Sequence, residues 1–445
     1  MNLSSLRRRT AVRLYAICQA YRDARLCVCV IMKCLAFMLF FLLLLAACTS
    51  CPPAPPATTT EPSFTAPQAT SPPQTQPDEI RAVWLSYFDL MLPAGGIPEQ
   101  AYREKYAALF AEFAAFGLNT LFVHVRPFTD AIYPSEIYPW SEILTGTQGK
   151  DPGYDPLGIL CALAEANGLR LHAWLNPFRI TPDHRDISKL DKGNPALAHI
   201  AAEDGWVRQA NGRYYWNPAM PETHALIYAG VQELLENYPL AGIHIDDYFY
   251  PTTDPAFDAA QYGAYQRLGG ALLPDEWRRE LVSQFVAGLY RTVHRTRPGA
   301  LLSVSPSANI EKNYGEYYAD TARWMREPGF ADWMVPQIYY GFEHTTLPFE
   351  ATARAWAALP RHGGLRLALG LAAYKIGQDD EFAGAAARGE WQTHDDILAR
   401  QARLARELEG CGGFAVYSCT GLFGPLTEIA RKEKYHLQNL IMSAF

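Results

Sequence analysis

The chain lacks most of the signatures that announce a chemistry. It has no GxSxG elbow, no Cys or Ser beside a convincing base, no glycine-rich phosphate loop behind its first predicted strand and, from that strand onward, no CxxC pair. These absences argue against a triad hydrolase, a nucleotide-binding open sheet and a cysteine metal site, and no cofactor is expected. Cysteine is scarce where it would count. Of nine, Cys18, Cys27, Cys29 and Cys34 lie in an N-terminal segment apart from the fold, leaving Cys48, Cys51, Cys161, Cys411 and Cys419. If residues 412–420 form one strand, Cys411 and Cys419 stand about 26 Å apart, beyond disulfide reach. Cys161, in the apolar run from Leu157 to Ala164, reads as a small core residue. Basic charge is also sparse: the formal net charge is −7, and residues 1–47 hold seven basic residues against one acid. The remainder carries 32 bases against 45 acids, a balance of −13 that disfavours nucleic acid as a partner.

No uncharged run is long enough to span a bilayer comfortably. From Cys34 to Ala47 there is only a signal-sized apolar stretch, ending Leu45-Ala46-Ala47-Cys48. Small residues directly before a cysteine resemble a bacterial lipobox. Residues 1–47 are therefore expected to be a signal segment, with Met32-Lys33 as a compact start, and Cys48 the lipidated residue. A transmembrane anchor or a cleaved secretory signal is the alternative. Residues 48–78, rich in Pro, Thr, Ser, Ala and Gln, bury almost nothing and read as an extended, disordered linker. The expected location is the bacterial cell envelope, anchored by lipid to the outer face of the membrane.

What the chain does have is alternation. From residue 79, short β-branched or aromatic runs near 80–88, 119–127, 169–177, 241–249, 300–308, 331–340, 366–374 and 412–420 are separated by amphipathic helical stretches. The helical stretches include Pro98 to Phe116, Glu222 to Tyr238, Asp275 to Thr296 and Thr393 to Glu409, with Gly117, Gly168 and Gly410 as expected helix stops. Eight such units predict an α/β fold, a (β/α)8 TIM barrel over residues 79–433 with a C-terminal tail at 434–445. A doubly wound open sheet is the runner-up.

Barrel geometry says where to look, because alternate strand residues point inward and sites lie at the C-terminal strand ends. One parity gathers Trp84 and Ser86, His124 and Arg126, His172, Trp174 and Asn176, His244, Asp246 and Tyr248, Ser303 and Ser305, then Gln337 and Tyr339. Buried parallel strands are ordinarily apolar on both faces, so this reads as a polar funnel. Its centre is Asp246-Asp247, hemmed by Tyr248, Phe249 and Tyr250. Two adjacent carboxylates among aromatic rings are costly unless hydrogen-bonded or used. Neighbours on a strand point opposite ways, so the pair can share a site only if the strand ends there. A second catalytic carboxylate is sought on the loops, with Glu343 the leading choice over Glu311, Asp130 and Glu390.

Sugar rings present apolar faces edged by hydroxyls, and the predicted loops supply matching groups. The candidate substrate-binding set is Arg126, Asp130, Trp140, His172, Trp174, Asn176, Arg179, His244, Tyr248, Gln337, Tyr339, Tyr340 and Lys375. A metal alternative stays open, since His124, His172 and His244 share the inward parity and His244-x-Asp246 could hold a divalent ion. With no HxH on the first strand, core histidines are the expectation and no metal ligand is assigned.

Several blocks in order resemble the bacterial family-10 glycosyl-hydrolase-like lipoproteins over about residues 79–430. They include Glu79-Ile80-Arg81-Ala82-Val83-Trp84-Leu85, Val125-Arg126-Pro127, His172-Ala173-Trp174-Leu175-Asn176-Pro177-Phe178-Arg179, the Asp246-Asp247 segment, Ser305-Pro306-Ser307-Ala308-Asn309-Ile310 and Pro336-Gln337-Ile338-Tyr339-Tyr340. Gly370-Leu371-Ala372-Ala373-Tyr374-Lys375-Ile376-Gly377 completes the set. The resemblance implies a TIM-barrel glycoside hydrolase of an envelope polymer such as peptidoglycan glycan strands, with the aspartates after the fourth strand catalytic. One block departs from the pattern: Ala219 and His224 stand where glycine and arginine are expected. A surface glycan-binding protein without catalysis is the competing class, and the oligomeric state is not legible.

Overall fold

The computed structural model describes residues 79–182 and 186–443, so the expected signal, the lipidation site Cys48 and the linker lie outside the described residues. Ten strands are described: β1 Ile80–Leu85, β2 Thr120–Arg126, β3 Arg170–Leu175, β4 Val207–Ala210, β5 Arg213–Trp216, β6 Gly242–Ile245, β7 Leu301–Val304, β8 Trp333–Met334, β9 Arg366–Ala372 and β10 Cys411–Tyr417. Eight of them close an all-parallel barrel in the order β1-β10-β9-β8-β7-β6-β3-β2, with helices between successive strands. The fold is a (β/α)8 TIM barrel, and each barrel strand falls inside a stretch that alternation predicted, save that β10 starts one residue early at Cys411.

Period-2 patterning builds two cores. Ile80, Ala82 and Trp84 of β1 join Phe122, Trp174, Trp333, Ala368 and Ala415 in an apolar cluster filling the lumen, while Val83 and Leu85 join the shell under the helices. Helices follow their own period. In Glu99–Phe116 the rings of Tyr102, Tyr106, Phe110 and Phe113 share the buried face, and Gly117 ends the helix at φ 94°, a value open to glycine. Gly168 also has positive φ, just past the cap residue Asn167 of its helix, whereas Gly410 lies three residues past Glu407 and turns the chain into β10.

Four local departures from the sequence reading have physical causes. Pro336 has no N–H to give a ladder, so β8 is two residues long and pairing continues only as isolated bridges from Gln337 to Ser307 and Gly370. The register shifts between His124 and Arg126, which turns Arg126 out of the inward parity. The antiparallel hairpin β4–β5, turned by Asn211-Gly212 at φ 48° and 79°, lies between two predicted barrel strands where alternation assigns no element. Finally, the helix Glu428–Met442 runs through the expected domain end at residue 433 and buries Leu437 and Ile441, so residues 434–442 belong to the barrel. Cys161, Cys411 and Cys419 are free thiols.

The connection after β6 is locked by one buried ion pair. Arg278, on the helix Pro274–Thr296, gives Nε and Nη2 to the two oxygens of Asp258 at 2.8 and 2.6 Å. Its remaining donors reach the carbonyls of Thr253 and Asp254 and the hydroxyl of Tyr318, and Tyr250 also donates to Asp258. Removing one partner of such a pair strands a buried charge, so Arg278→Ala should lose about 3–5 kcal/mol in denaturant unfolding. Arg278→Met combined with Asp258→Leu should lose clearly less. A loss under about 1 kcal/mol for the single variant would show that the pair does not hold the loop.

Candidate active site

β6 ends at Ile245, so Asp246 and Asp247 leave the strand together rather than pointing to opposite faces. Both line one cavity of about 220 Å³ at the C-terminal barrel mouth, walled by Trp84, Trp174, Tyr248, Ser305, Gln337, Tyr339 and Tyr417. Tyr339 stands edge-on to Trp84 and stacks on Tyr417 at 5.5 Å, which makes an aromatic wall of three strand ends. Ser305 Oγ is buried without a hydrogen-bond partner, and the buried Asp246 Oδ1 and Trp174 Nε1 have at most each other. Polar groups left this poorly paired on one cavity are what a site prepared for a polar ligand presents.

The two carboxyls are not equivalent. Burial pushes Asp246 well above the usual carboxylate range and the neighbouring charge of Asp247 adds to the shift, opposed by Arg179 and the Trp174 indole. Asp247 is half-buried, and desolvation raises it too. It is opposed by more partners: a hydrogen bond from Gln337, then Arg179 and Lys312. The environment therefore holds the Asp246 proton more tightly than that of Asp247. Gln337 is fixed in turn by donating Nε2 to Ser305 O at 2.9 Å. The guanidinium of Arg179 is clamped over the rings of Tyr248 at 4.5 Å and Phe128 at 4.9 Å.

Beneath the acids lies a polar floor. Trp84 Nε1 donates to His244 Nε2 at 2.9 Å, which leaves the proton on Nδ1 to donate to Ser303 Oγ at 2.8 Å. Both ring nitrogens of His244 are thus committed, and burial pulls its pKa well below the usual range. His172, pulled down to about 3 by burial, stacks on Trp333 at 4.9 Å. His124 stacks on Trp174 at 3.7 Å and meets Asn176 Oδ1 at 3.1 Å. These histidines pack the barrel, and His172 and His244 do not line the cavity as substrate groups. Among the described residues no three His, Cys, Asp or Glu side chains come together in a metal-binding group.

The other expected residues divide. Trp174, Tyr248, Gln337 and Tyr339 join the two aspartates, with Arg179 alongside. Arg126 does not: turned outward by the register shift, it donates to the carbonyls of Phe128, Asn176 and Pro177 and anchors two loops. Asp130, pushed up to about 6 by burial, is held by Gln148 at 3.2 Å within the loop packing. Trp140 borders a different hollow, and Lys375 pairs with Asp380 at 2.6 Å near Tyr340, off the acid cavity. Glu343 is 55% exposed and faces His394 at 3.6 Å. It does not line the cavity, and neither does Glu390, which accepts the N–H groups of Phe342 and Glu343. His224 is buried in the shell on Pro218 O at 2.8 Å. Trp84, Ser305 and Tyr417 were not selected from the sequence, although parity marked the first two. A hollow of about 730 Å³ lies on the flank beside Glu136 and Glu233, and the Glu233 carboxylate already accepts the Ser135 hydroxyl and the Glu136 N–H.

A parallel barrel with paired acids and aromatic rings at its mouth defines a class, the TIM-barrel glycoside hydrolase type. The family described as Glycosyl hydrolase-like 10 matches residues 79–384, and the chain belongs to that family. Glycosyl hydrolase YngK of Bacillus subtilis (strain 168) is 33% identical over 77% of this chain and 69% of its own length. Glycosyl hydrolase DigH of Escherichia coli (strain K12) is 32% identical over 72% of this chain and 78% of its own. The PgaB (BpsB) glycoside hydrolase domain from Bordetella bronchiseptica covers 82% of this chain and 99% of itself, with a TM-score of 0.57 at 14% identity, a likeness of fold.

An unfolded Asp ionises near pH 3.9, while the folded protein holds the Asp246 proton to higher pH. This group's contribution to stability is therefore present in full below about pH 4 and is lost as pH rises through the folded value. Asp246→Asn removes the ionisation. The variant should melt higher than the parent at pH 7, by roughly 2–4 °C for each kcal/mol of strain relieved, with the gap closing toward pH 4. A gap that stays constant from pH 4 to pH 7 would contradict the assignment.

Proposed function

We propose that the protein hydrolyses glycosidic bonds of an envelope polysaccharide, with peptidoglycan glycan strands as the substrate class. Asp246 is the proton donor and Asp247 its supporting carboxylate. The observation that carries the reading is the pairing of a buried, proton-retaining Asp246 with a less perturbed Asp247 in one aromatic-walled cavity. Family membership and the names of the relatives support glycoside hydrolysis. The expected lipid on Cys48 and the linker behind it would hold such an enzyme at the outer face of the membrane, within reach of wall polymer.

The mechanism follows from which carboxylates the cavity holds. Two-carboxylate glycosidases set their acids about 5–9.5 Å apart across the scissile bond. Here the cavity's acids are sequence neighbours on one strand end, and Glu343 points elsewhere. That arrangement favours a substrate whose own N-acetyl group does the work of the missing nucleophile. Asp246 donates its proton to the glycosidic oxygen as the C1–O bond breaks, while the acetamido carbonyl oxygen attacks C1 and closes a cyclic oxazolinium ion. Asp247 accepts the acetamido N–H and stabilises the positive charge that develops. Water then attacks C1, gives its proton to the Asp246 carboxylate and reopens the ring, which regenerates the acetamide and the acid. Trp174, Tyr339 and Tyr417 offer faces for the sugar, and Gln337 holds Asp247 in place.

Incubating the full chain with purified glycan strands should generate new reducing ends, counted by mass spectrometry. Asp246→Asn should lower that rate by at least about 10²-fold, with an intact fold by circular dichroism, and Glu343→Gln should leave it near the parent's. Strands that are retained without being shortened would move the assignment to a glycan-binding protein, and an active Asp246→Asn would overturn the role of Asp246.

A further inference from the structure

The acid cavity has a neighbour. A second cavity of about 230 Å³ shares Asp247 and Tyr248 with it, and is otherwise walled chiefly by Asn211, Arg213 and Tyr215 of the β4–β5 hairpin and by Tyr317. Neither cavity reaches the roughly 300–1,000 Å³ of a pocket for a whole drug-sized ligand, whereas the two together do. Each is scaled for one ring. Tyr248, 42% exposed, stands at their junction, so a chain in one cavity is led past the acids into the other.

The second cavity is also rigidly built. The hairpin extends a short ladder with the segment after β3: Ile180 N–H donates to Tyr214 O at 3.0 Å and Trp216 N–H to Phe178 O at 2.8 Å. The hairpin is tied to the loop that carries the acids, through Asn211 Nδ2 of its turn on Pro251 O at 3.2 Å and Arg208 Nη2 of β4 on Ala256 O at 3.0 Å. The accessible rings are each backed by a cation, Tyr248 by Arg179 and Tyr317 by Lys312 at 5.3 Å. Flat rings held in place with polar edges beside them suit a pyranose, whose faces are apolar and whose rim is hydroxylated.

We infer that the second cavity is a subsite for the adjoining sugar ring of the same glycan chain, so that a polymer threads both cavities and is cut internally. The inference rests on the glycosidase reading above, and adds that the β4–β5 hairpin and Tyr317 set the preference for length. Inactive full-length Asp246→Asn protein separates the two claims, with N-acetylglucosamine itself and its β-1,4-linked hexamer as probes in calorimetric titration. The hexamer should bind at least about tenfold more tightly than the single sugar. Tyr317→Ala and, separately, Arg213→Ala should weaken the hexamer by about tenfold and leave the single sugar within about twofold, the single sugar serving as the check on folding. Equal affinity for both probes, or a length preference that survives both variants, would overturn the second subsite alone. Failure of both probes to bind would overturn the N-acetylated-glycan reading on which it stands.

Discussion

The indole N–H of Trp84 held on His244 Nε2 is the contact on which the mouth of the barrel depends. It joins the first barrel strand to the fourth across the lumen, and Ser303 on the fifth completes the chain through His244 Nδ1. Partners on both nitrogens hold the buried ring in one tautomer and one orientation, and His244 has both. The consequence reaches two residues further along β6, where the strand stops at Ile245 and the acids begin. The lumen below is packed with buried aromatic rings and histidines. A carboxyl placed on top of it pays heavily for ionisation, and Asp246 responds by keeping its proton.

Asp246 sits deeper and feels its neighbour as well as burial. Asp247 has the amide of Gln337 and two cations to draw on. Identical side chains one residue apart are thereby driven toward different protonation states by position alone. The same loop is fixed from behind by its own Asp258 paired with Arg278 of the helix Pro274–Thr296, so the geometry of the acids depends on packing outside the site.

Much of this was legible in the sequence because period-2 patterning is a direct readout of inside and outside. Trp84, Trp174, Gln337 and Tyr339 reached the mouth as parity required, and the acids stood out as charges that an aromatic setting does not tolerate idly. Illegible were features that parity alone does not encode. A register shift in β2 redirected Arg126 from the lumen to the loops, and nothing in Val125-Arg126-Pro127 announces it. Asp130, Trp140 and Lys375 read as ligand-binding residues, yet each is placed by loop packing. Loop acids such as Glu343 carry no signal that separates a catalytic carboxylate from an exposed one. The hairpin is different: Asn211-Gly212 between two short β-prone runs is a readable turn signal, and attention to it would have revealed the wall beside the acids.

The central claim is that Asp246 holds a proton at neutral pH beside an ionised Asp247. Infrared difference spectroscopy of the carboxylic C=O stretch, comparing the parent with Asp246→Asn across a pH titration, addresses it directly. The account predicts a protonated carboxyl band that persists at pH 7 in the parent and is missing in the variant. If the variant removes no such band and both aspartates ionise near their ordinary value of about 4, the acid assignment fails.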